Sequence, residues 1–278
     1  MGCPTELCDL AVLSARIGRN PLLTQASSGN TSMKIGGTLW IKASGKWLAS
    51  ALEDEATFVA VPLDSAFDRI AGSSVETATH AVLPQKVVIH VHSVNAISWA
   101  VRSDGYERLV ERLAGIAWQW IPYVASGMPL ARYVEGAVAA RPELRVFVLA
   151  NHGLFVSGDD CADAEARLEE VERRLAAAAR VCGRCDDPVS RRILEGGILY
   201  PCQAMFLGAG TAPFSDPGLT VAQRAVLEGL AEVVRRIDEF APLRYLSGEE
   251  VDALVGEDIH RYLSRTESNA RCTVNQPA

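Results

Sequence analysis

The sequence predicts a mixed α/β fold followed by a mainly helical extension, and three observations carry that prediction. β-rich runs alternate with segments of helical period over the first two thirds, from Cys8 to Cys182. After Asp186-Asp187-Pro188 the strand-like runs give way to two helical patterns. The 278 residues, 49% of them hydrophobic, suffice for one main domain with an accessory piece. The expected boundary lies near Gly183 to Pro188, separating residues 1–185 from 186–278.

Cys8 to Gly18 places apolar residues at helical spacing and stops at a glycine. Ser27-Ser28-Gly29-Asn30-Thr31 is a small polar loop running into a strand that ends at Ile35. Thr38 to Ala43 is its hairpin partner, with Gly36-Gly37 as the turn, because two consecutive positive-φ positions suit glycine. Ser44-Gly45-Lys46 makes a second turn, and Phe58 to Leu63 is β-rich. Ser74 can cap a short helix that Pro84 must close, since proline cannot continue a helix interior. Val87 to Ser93 reads as a strand and Tyr106 to Trp120 as an amphipathic helix.

Leu144 to Ala150 reads as a buried strand that Leu154 to Val156 continues beyond Asn151-His152-Gly153. Asp159 or Asp160 then caps a helix from Cys161 to Cys182, with Gly183 placed to end it. In the extension, an apolar stretch at 198–207 leads to a helix over Thr220 to Phe240. Ser247-Gly248-Glu249-Glu250 fits a capping box opening a last helix, and a frayed tail is expected from Ser264.

Lys and Arg number 27 against 34 Asp and Glu, a net charge of -7 with no basic stripe, so nucleic acid is not the expected partner. No apolar run approaches the roughly 18 to 20 residues a membrane helix needs. The first ten residues carry Glu6 and Asp9 without the positive start of a signal peptide, and Glu6 stands where a myristoylation motif wants Ser or Thr. A soluble, cytoplasmic protein is expected. The seven cysteines are odd in number and irregularly spaced, which argues against a disulfide framework; Cys182-Gly-Arg-Cys185 reads as two thiols at a helix end.

His90-Val91-His92 is the sharpest local feature. On a strand, residues i and i+2 share a face, so both imidazoles reach one point and form a pre-organised chelate suited to Zn²⁺ and its neighbours. His152 sits where a buried strand ends, next to a glycine that permits close backbone approach. Alone it would be a core histidine bonded to a carbonyl; three of five histidines at strand positions favour convergence on a divalent metal. Glu76 lies in the first turn of the helix opened by Ser74, where a carboxylate also favours the helix dipole, and is a fourth ligand or a base. His80, one turn on, is a competing ligand or an orienting residue. The HExxH spacing is absent, and no acid follows His92 until Asp104, unlike a cupin. The turns Ser27–Asn30 and Ala43–Lys46 have the composition of anion-holding nests and equally of ordinary hairpin loops.

In their order and spacing, Ser28-Gly29-Asn30-Thr31-Ser32, Ala43-Ser44-Gly45, Ser74-Val75-Glu76-Thr77, His90-Val91-His92 and Asn151-His152-Gly153 resemble the class II aldolase/adducin family of fuculose-phosphate aldolase type, over about Leu10 to Gly183. The form Leu39-Trp40-Ile41-Lys42-Ala43-Ser44-Gly45 is most similar to the aldolase half of bifunctional rhamnulose-phosphate aldolase/dehydrogenase proteins. The resemblance implies a three-layer α/β/α sandwich around a largely antiparallel sheet, assembled as a homotetramer with sites between subunits.

It also implies metal ligation by His90, His92 and His152, with Glu76 as an acid/base carboxylate that can ligate the metal. Gly29, Asn30, Ser44, Gly45 and Ser74 match phosphate-binding positions, and Tyr123 matches a proton donor supplied from a neighbouring subunit. One departure stands out: Val75 occupies a position where the family's aldolases carry a second serine, a loss for which Lys46 could compensate.

The implied reaction is cleavage or formation of a C–C bond in a sugar phosphate or related anionic sugar, through an enediolate stabilised by Zn²⁺, Mn²⁺ or Co²⁺. The same scaffold supports epimerases, decarboxylases and dehydratases, and these remain alternatives. A non-catalytic adducin-like interaction protein is a further one, although such a protein would be expected to have lost the ligands. A metal-dependent hydrolase of unrelated fold would lack an anion loop beside the metal.

Overall fold

The structure is a computed structural model describing residues 5–68, 70–181, 187–208, 218–256 and 259–274, with the side chains of 261 and 271–274 left aside. Seven strands form one sheet: β1 (Asn30–Ile35), β2 (Thr38–Lys42), β3 (Phe58–Pro62), β4 (Val87–Val91), β5 (Trp118–Ile121), β6 (Val146–Leu149) and β7 (Gly153–Gly158). Their order is β3-β2-β1-β4-β7-β6-β5. Every neighbouring pair is antiparallel except β5 with β6. The described residues also form ten α-helices: α1 (Glu6–Gly18), α2 (Thr77–Val82), α3 (Val94–Ala100), α4 (Gly105–Arg112), α5 (Met128–Ala140), α6 (Cys161–Leu175), α7 (Pro188–Glu195), α8 (Val221–Arg236), α9 (Gly248–Leu254) and α10 (Ile259–Val274).

Alternation along β4 builds the layers. Val87, Ile89 and Val91 bury into one cluster with residues of α1, α3, α4 and α6, while Val88 joins Leu130, Val134, Phe147 and Phe155 on the α2/α5 side. The sheet is therefore mixed, largely antiparallel, and covered by helices on both faces. His90, two residues after Val88, shares the α2/α5 face. Helix α3 is buried on two sides: Ala96, Trp99 and Ala100 face the sheet, and Val94, Ile97 and Val101 face a second cluster with α7, α8 and Leu199 to Phe206. The helical extension is thus packed directly behind α3. No described helix is long and apolar enough to cross a membrane.

The β1–β2 hairpin turns on Gly36 and Gly37, both at positive φ (52° and 81°), as the sequence predicts. The capping box at Ser247 also forms, with both reciprocal bonds present.

Four element readings need correction. Tyr106 to Trp120 is not one helix: α4 ends at Arg112, Gly115 turns the chain at φ 81°, and Trp118–Ile121 pairs with β6. The helical period of Leu109 and Leu113 ends at Gly115, and pairing of β5 with β6 takes over. Residues 144–156 are not one strand but two, because Asn151 adopts φ 52° and sends β7 back antiparallel to β6. Helix α6 stops at Leu175 rather than Cys182: its last carbonyl accepts from Trp99 Nε1 at 2.8 Å, and Arg180 is drawn onto α8 through its amide to the Arg235 carbonyl at 2.7 Å. Local helix propensity loses to those tertiary bonds. The tail expected to fray from Ser264 is helical through Val274 and buries Thr266 and Ala270.

Cys3, Cys182 and Cys185 lie outside the described residues, as does the side chain of Cys272; Cys8, Cys161 and Cys202 are free thiols.

Candidate metal centre

Strand β4 delivers His90, and the residue just past its end, His92, points the same way. The β6–β7 turn delivers His152, and α2 opens beneath them with Glu76 at its N-cap position. The ligand atoms of His90, His92 and His152 all lie within 4.8 Å of one another, and all three residues are buried. His90 and His92 approach to 3.1 Å between Nε2 atoms. Glu76 stands beside the cluster, its Oε2 3.4 Å from His90 Nε2 and its Oε1 3.6 Å from His152 Nε2. Instead of capping α2, its side chain is turned inward.

The backbone fits this convergence closely. A Cβ on Gly153 would lie 2.4 Å from the Val91 carbonyl, and one on Gly29 2.7 Å from the His90 carbonyl, so only glycine lets these strands approach. His90 stacks on Phe155 at 4.2 Å between ring centroids, which fixes its plane.

Hydrogen bonds set the tautomers. His90 Nδ1 donates to the Leu154 carbonyl at 3.1 Å, which leaves the Nε2 lone pair directed into the cluster. His92 Nδ1 lies 2.9 Å from Cys202 Sγ, on the opposite side of its ring from His90. Burial, followed by the neighbouring His152, holds both His90 and His92 well below the usual histidine range, and burial also lowers His152. Three neutral imidazoles whose ring nitrogens converge, with an adjacent carboxylate, are a donor set that fits a divalent cation.

Glu76 is held by named donors. Asn30 Nδ2 donates to Oε2 at 2.8 Å, and the Ser126 hydroxyl to Oε1 at 3.3 Å. Asn30 is in turn fixed by His80, whose Nε2 bonds to Asn30 Oδ1 and whose Nδ1 accepts from Ser32 Oγ at 2.7 Å. His80 is therefore not in the ligand cluster; it orients the residue that orients Glu76. Burial pulls it down to about 3, so it is neutral.

Of the anion-loop residues, Asn30 and Ser74 meet at the site, 3.2 Å apart, and Ser74 Oγ also accepts from the Glu76 amide. Ser44 and Gly45 sit on the neighbouring turn, under α10, where Asn269 donates to the Gly45 carbonyl at 2.9 Å. Among the described residues no hydrogen bond joins either to the histidines or Glu76. Lys46 does not supply the missing donor at Val75: its ammonium is 2.6 Å from Asp54. Tyr123 packs against Ile198, Leu246 and α9 of its own chain, with Arg244 over its ring, and burial raises its phenol to about 12.

Sequence reasoning passed over three residues at this centre. Lys42 is buried, donates to the Ser27 and Lys46 carbonyls at 2.8 and 2.7 Å, and so staples the two small-residue loops together. Burial lowers it to about 7 against the opposing charge of Glu76. Ser126 touches Glu76 from a loop 50 residues away, and Cys202 touches His92 across 110. Lys42 had a signal, being a lysine inside a β-rich run; the other two had none.

Residues 8–179 match the family described as Class II Aldolase and Adducin N-terminal domain. An uncharacterized oxidoreductase, YuxG of Bacillus subtilis, is 27% identical over 186 residues, 56% of this chain but 27% of that protein, so the chain spans about a quarter of that relative. A methylthioribulose-1-phosphate dehydratase of Sorangium cellulosum is 27% identical over 200 residues, 63% of this chain and 85% of that protein. Among solved structures, the N-terminal class II aldolase domain of a conserved Thermoplasma acidophilum protein superposes with a TM-score of 0.54 at 24% identity, covering 63% of this chain and 94% of that one, a likeness in fold. With the match covering more than half its length and the histidine cluster inside it, this chain belongs to the class II aldolase and adducin family.

Proposed function

We propose that the protein is a metal-dependent class II aldolase that cleaves or forms a C–C bond in a sugar phosphate or related anionic sugar. The observation that carries this reading is Glu76: a buried carboxylate held by Asn30 and Ser126 between two neutral imidazoles. His90, His92 and His152 would hold the cation, Zn²⁺ by the donor set, with Glu76 as a fourth ligand when substrate is absent. A cation bound there supplies Lewis-acid stabilisation of the negative charge that develops on substrate oxygens.

The chain's own residues do the rest. Glu76 moves the proton at the nucleophilic carbon, and Asn30 fixes which of its oxygens faces the substrate. Tyr123, kept protonated by burial, is assigned as the donor to the aldehyde oxygen when the C–C bond forms, and in cleavage the proton of that hydroxyl returns to it. Gly29, Asn30, Ser44, Gly45 and Ser74 are assigned to the substrate's anionic end. In this reading the protein works as a homotetramer in the cytoplasm, with Tyr123 serving a neighbouring subunit's site.

A second reading, a dehydratase on the same residues, is favoured by the Sorangium relative, which aligns over 85% of its length. One experiment separates them. Ketose 1-phosphates and aldose phosphates are incubated with Zn²⁺-, Mn²⁺- or Co²⁺-loaded protein, a chelator control, and the variants Glu76→Gln and His92→Ala. Metal-dependent release of an aldehyde and a ketone, lost in both variants, supports the aldolase. A product lighter by one water with its carbon chain intact supports the dehydratase and rejects the first reading.

A further inference from the structure

We infer that the C-terminal part of the chain, beyond the family-matched residues, holds two of the three histidines in their metal-ready orientation: His92 through Cys202, and His152 through the staple on Asn151. The inference rests on the metal reading proposed above and assigns positioning residues that lie outside the matched segment.

The first arm is at His92. A neutral imidazole offers a lone pair at Nε2 only when its proton is on Nδ1, so the partner at Nδ1 selects the ligating tautomer. For His90 that partner is the Leu154 carbonyl, on the neighbouring strand. For His92 the atom facing Nδ1 is Cys202 Sγ, 2.9 Å away, which receives the Nδ1 proton when Nε2 holds the cation; His92 is 7% and Cys202 3% exposed. The sulfur lies on the Nδ1 edge, across the ring from Nε2, so a cation on Nε2 is beyond its reach. Cys202 is therefore a positioning residue and not a ligand. It is itself immobilised: Leu199, Tyr200 and Phe206 bury around it against Val94 and Ile97 of α3.

The second arm is at the β6–β7 turn. Asn151 holds φ 52°, a left-handed conformation that L-residues seldom adopt, and this turn aims His152, its peptide neighbour. Its amide donates to the Leu199 and Arg244 carbonyls at 2.9 and 2.8 Å, and its oxygen accepts from Arg244 Nη1 at 2.9 Å. All three bonds go to the C-terminal part. Arg244 is anchored in turn by Glu250, 2.6 Å away. Both arms meet at residues 199–202, so one packed segment sets two ligand directions.

The test uses the full chain and two metals. Zn²⁺ affinity is measured by chelator competition, and the Co²⁺ derivative by absorption, for wild type, Cys202→Ala, Cys202→Ser and Asn151→Gly. Cys202→Ala weakens Zn²⁺ about 10- to 100-fold. Cys202→Ser restores most of it, because a hydroxyl oxygen accepts the same N–H; a purely space-filling role would give no such rescue. Asn151→Gly keeps the left-handed turn accessible while severing the three staples, and it too loses affinity. Wild-type Co²⁺ protein shows no thiolate-to-metal charge-transfer band. Unchanged affinity in Cys202→Ala and Asn151→Gly, or a thiolate band lost in Cys202→Ala, overturns the inference alone. Wild-type protein that takes up neither metal overturns the metal reading and the inference with it.

Discussion

Acid should destabilise the metal-free protein through its buried histidines, and His80 gives the size of the effect. The ring is fully buried, accepting from Ser32 at Nδ1 and donating to Asn30 at Nε2, so a second proton would place an unsolvated charge in the core. Its folded value is about 3, against 6.5 for an ordinary histidine. Between those limits the unfolded chain binds a proton that the folded chain refuses, so stability falls as pH falls, by about 1.4 kcal/mol per pH unit. From about pH 7.5 to about pH 5 that integrates to about 2 kcal/mol from this one residue. His90, His92 and His152 are lowered too and act with the same sign. The assay is urea unfolding of chelator-treated protein at both pH values, for wild type and His80→Gln. Glutamine keeps a donor and an acceptor but cannot take up the proton, so its stability difference between the two pH values should be smaller by about 2 kcal/mol. Equal pH dependence in the two proteins would refute the assignment of His80 as a neutral, closed ring.

Asn30→Ala should lower the unfolding free energy by about 1–3 kcal/mol, because it strips a donor from buried Glu76 and a partner from His80, and turnover should fall while Zn²⁺ still binds; equilibrium unfolding and metal competition check both. Gly153→Ala should cost about 1–3 kcal/mol and loosen metal binding, since its Cβ would strike the Val91 carbonyl at 2.4 Å; a thermal melt with and without Zn²⁺ reads this. Lys46→Met should cost at most about 1 kcal/mol and leave KM unchanged, because its part-exposed ammonium is spent on Asp54; a raised KM for an anionic substrate would return Lys46 to the site.

What the sequence disclosed and what it hid divide by the range of the signal. The HxH pair was legible because strand geometry alone puts His90 and His92 on one face, and the Gly36-Gly37 hairpin because turn chemistry is local. The β6–β7 reversal was not, since Asn tolerates left-handed and extended backbone alike, and the Leu199 and Arg244 carbonyls that hold its amide lie 48 and 93 residues on. Glu76 was found as a carboxylate at a helix start, but its inward turn depends on Asn30 and Ser126, 46 and 50 residues away. Cys202 read as a stray thiol in an apolar stretch, because nothing in its neighbourhood along the chain mentions a histidine. The same holds for α6, whose alanine-rich end is a good helix former until Trp99 takes its final carbonyl.

The physical state of the triad ties these pieces together. The Nδ1 proton of His90 is committed to the Leu154 carbonyl, so its Nε2 faces His92 Nε2 at 3.1 Å as an acceptor; His92 fills that contact with its own proton when the Cys202 thiol donates to its Nδ1, and frees Nε2 for a cation when the proton moves to Nδ1 and Sγ accepts it. The two arrangements differ by one proton position within neutral His92, and adding a second proton to either ring is opposed by burial. Folding therefore supplies the organisation, through Phe155, Gly153, Cys202 and the Asn151 turn, and leaves the favourable electrostatics to a cation. A divalent ion at 100 times its dissociation constant would return about 2.7 kcal/mol, more than the pH-dependent loss at His80. Every residue that holds the three rings in that convergence thus belongs to the metal site in energetic terms, whether or not it touches the ion.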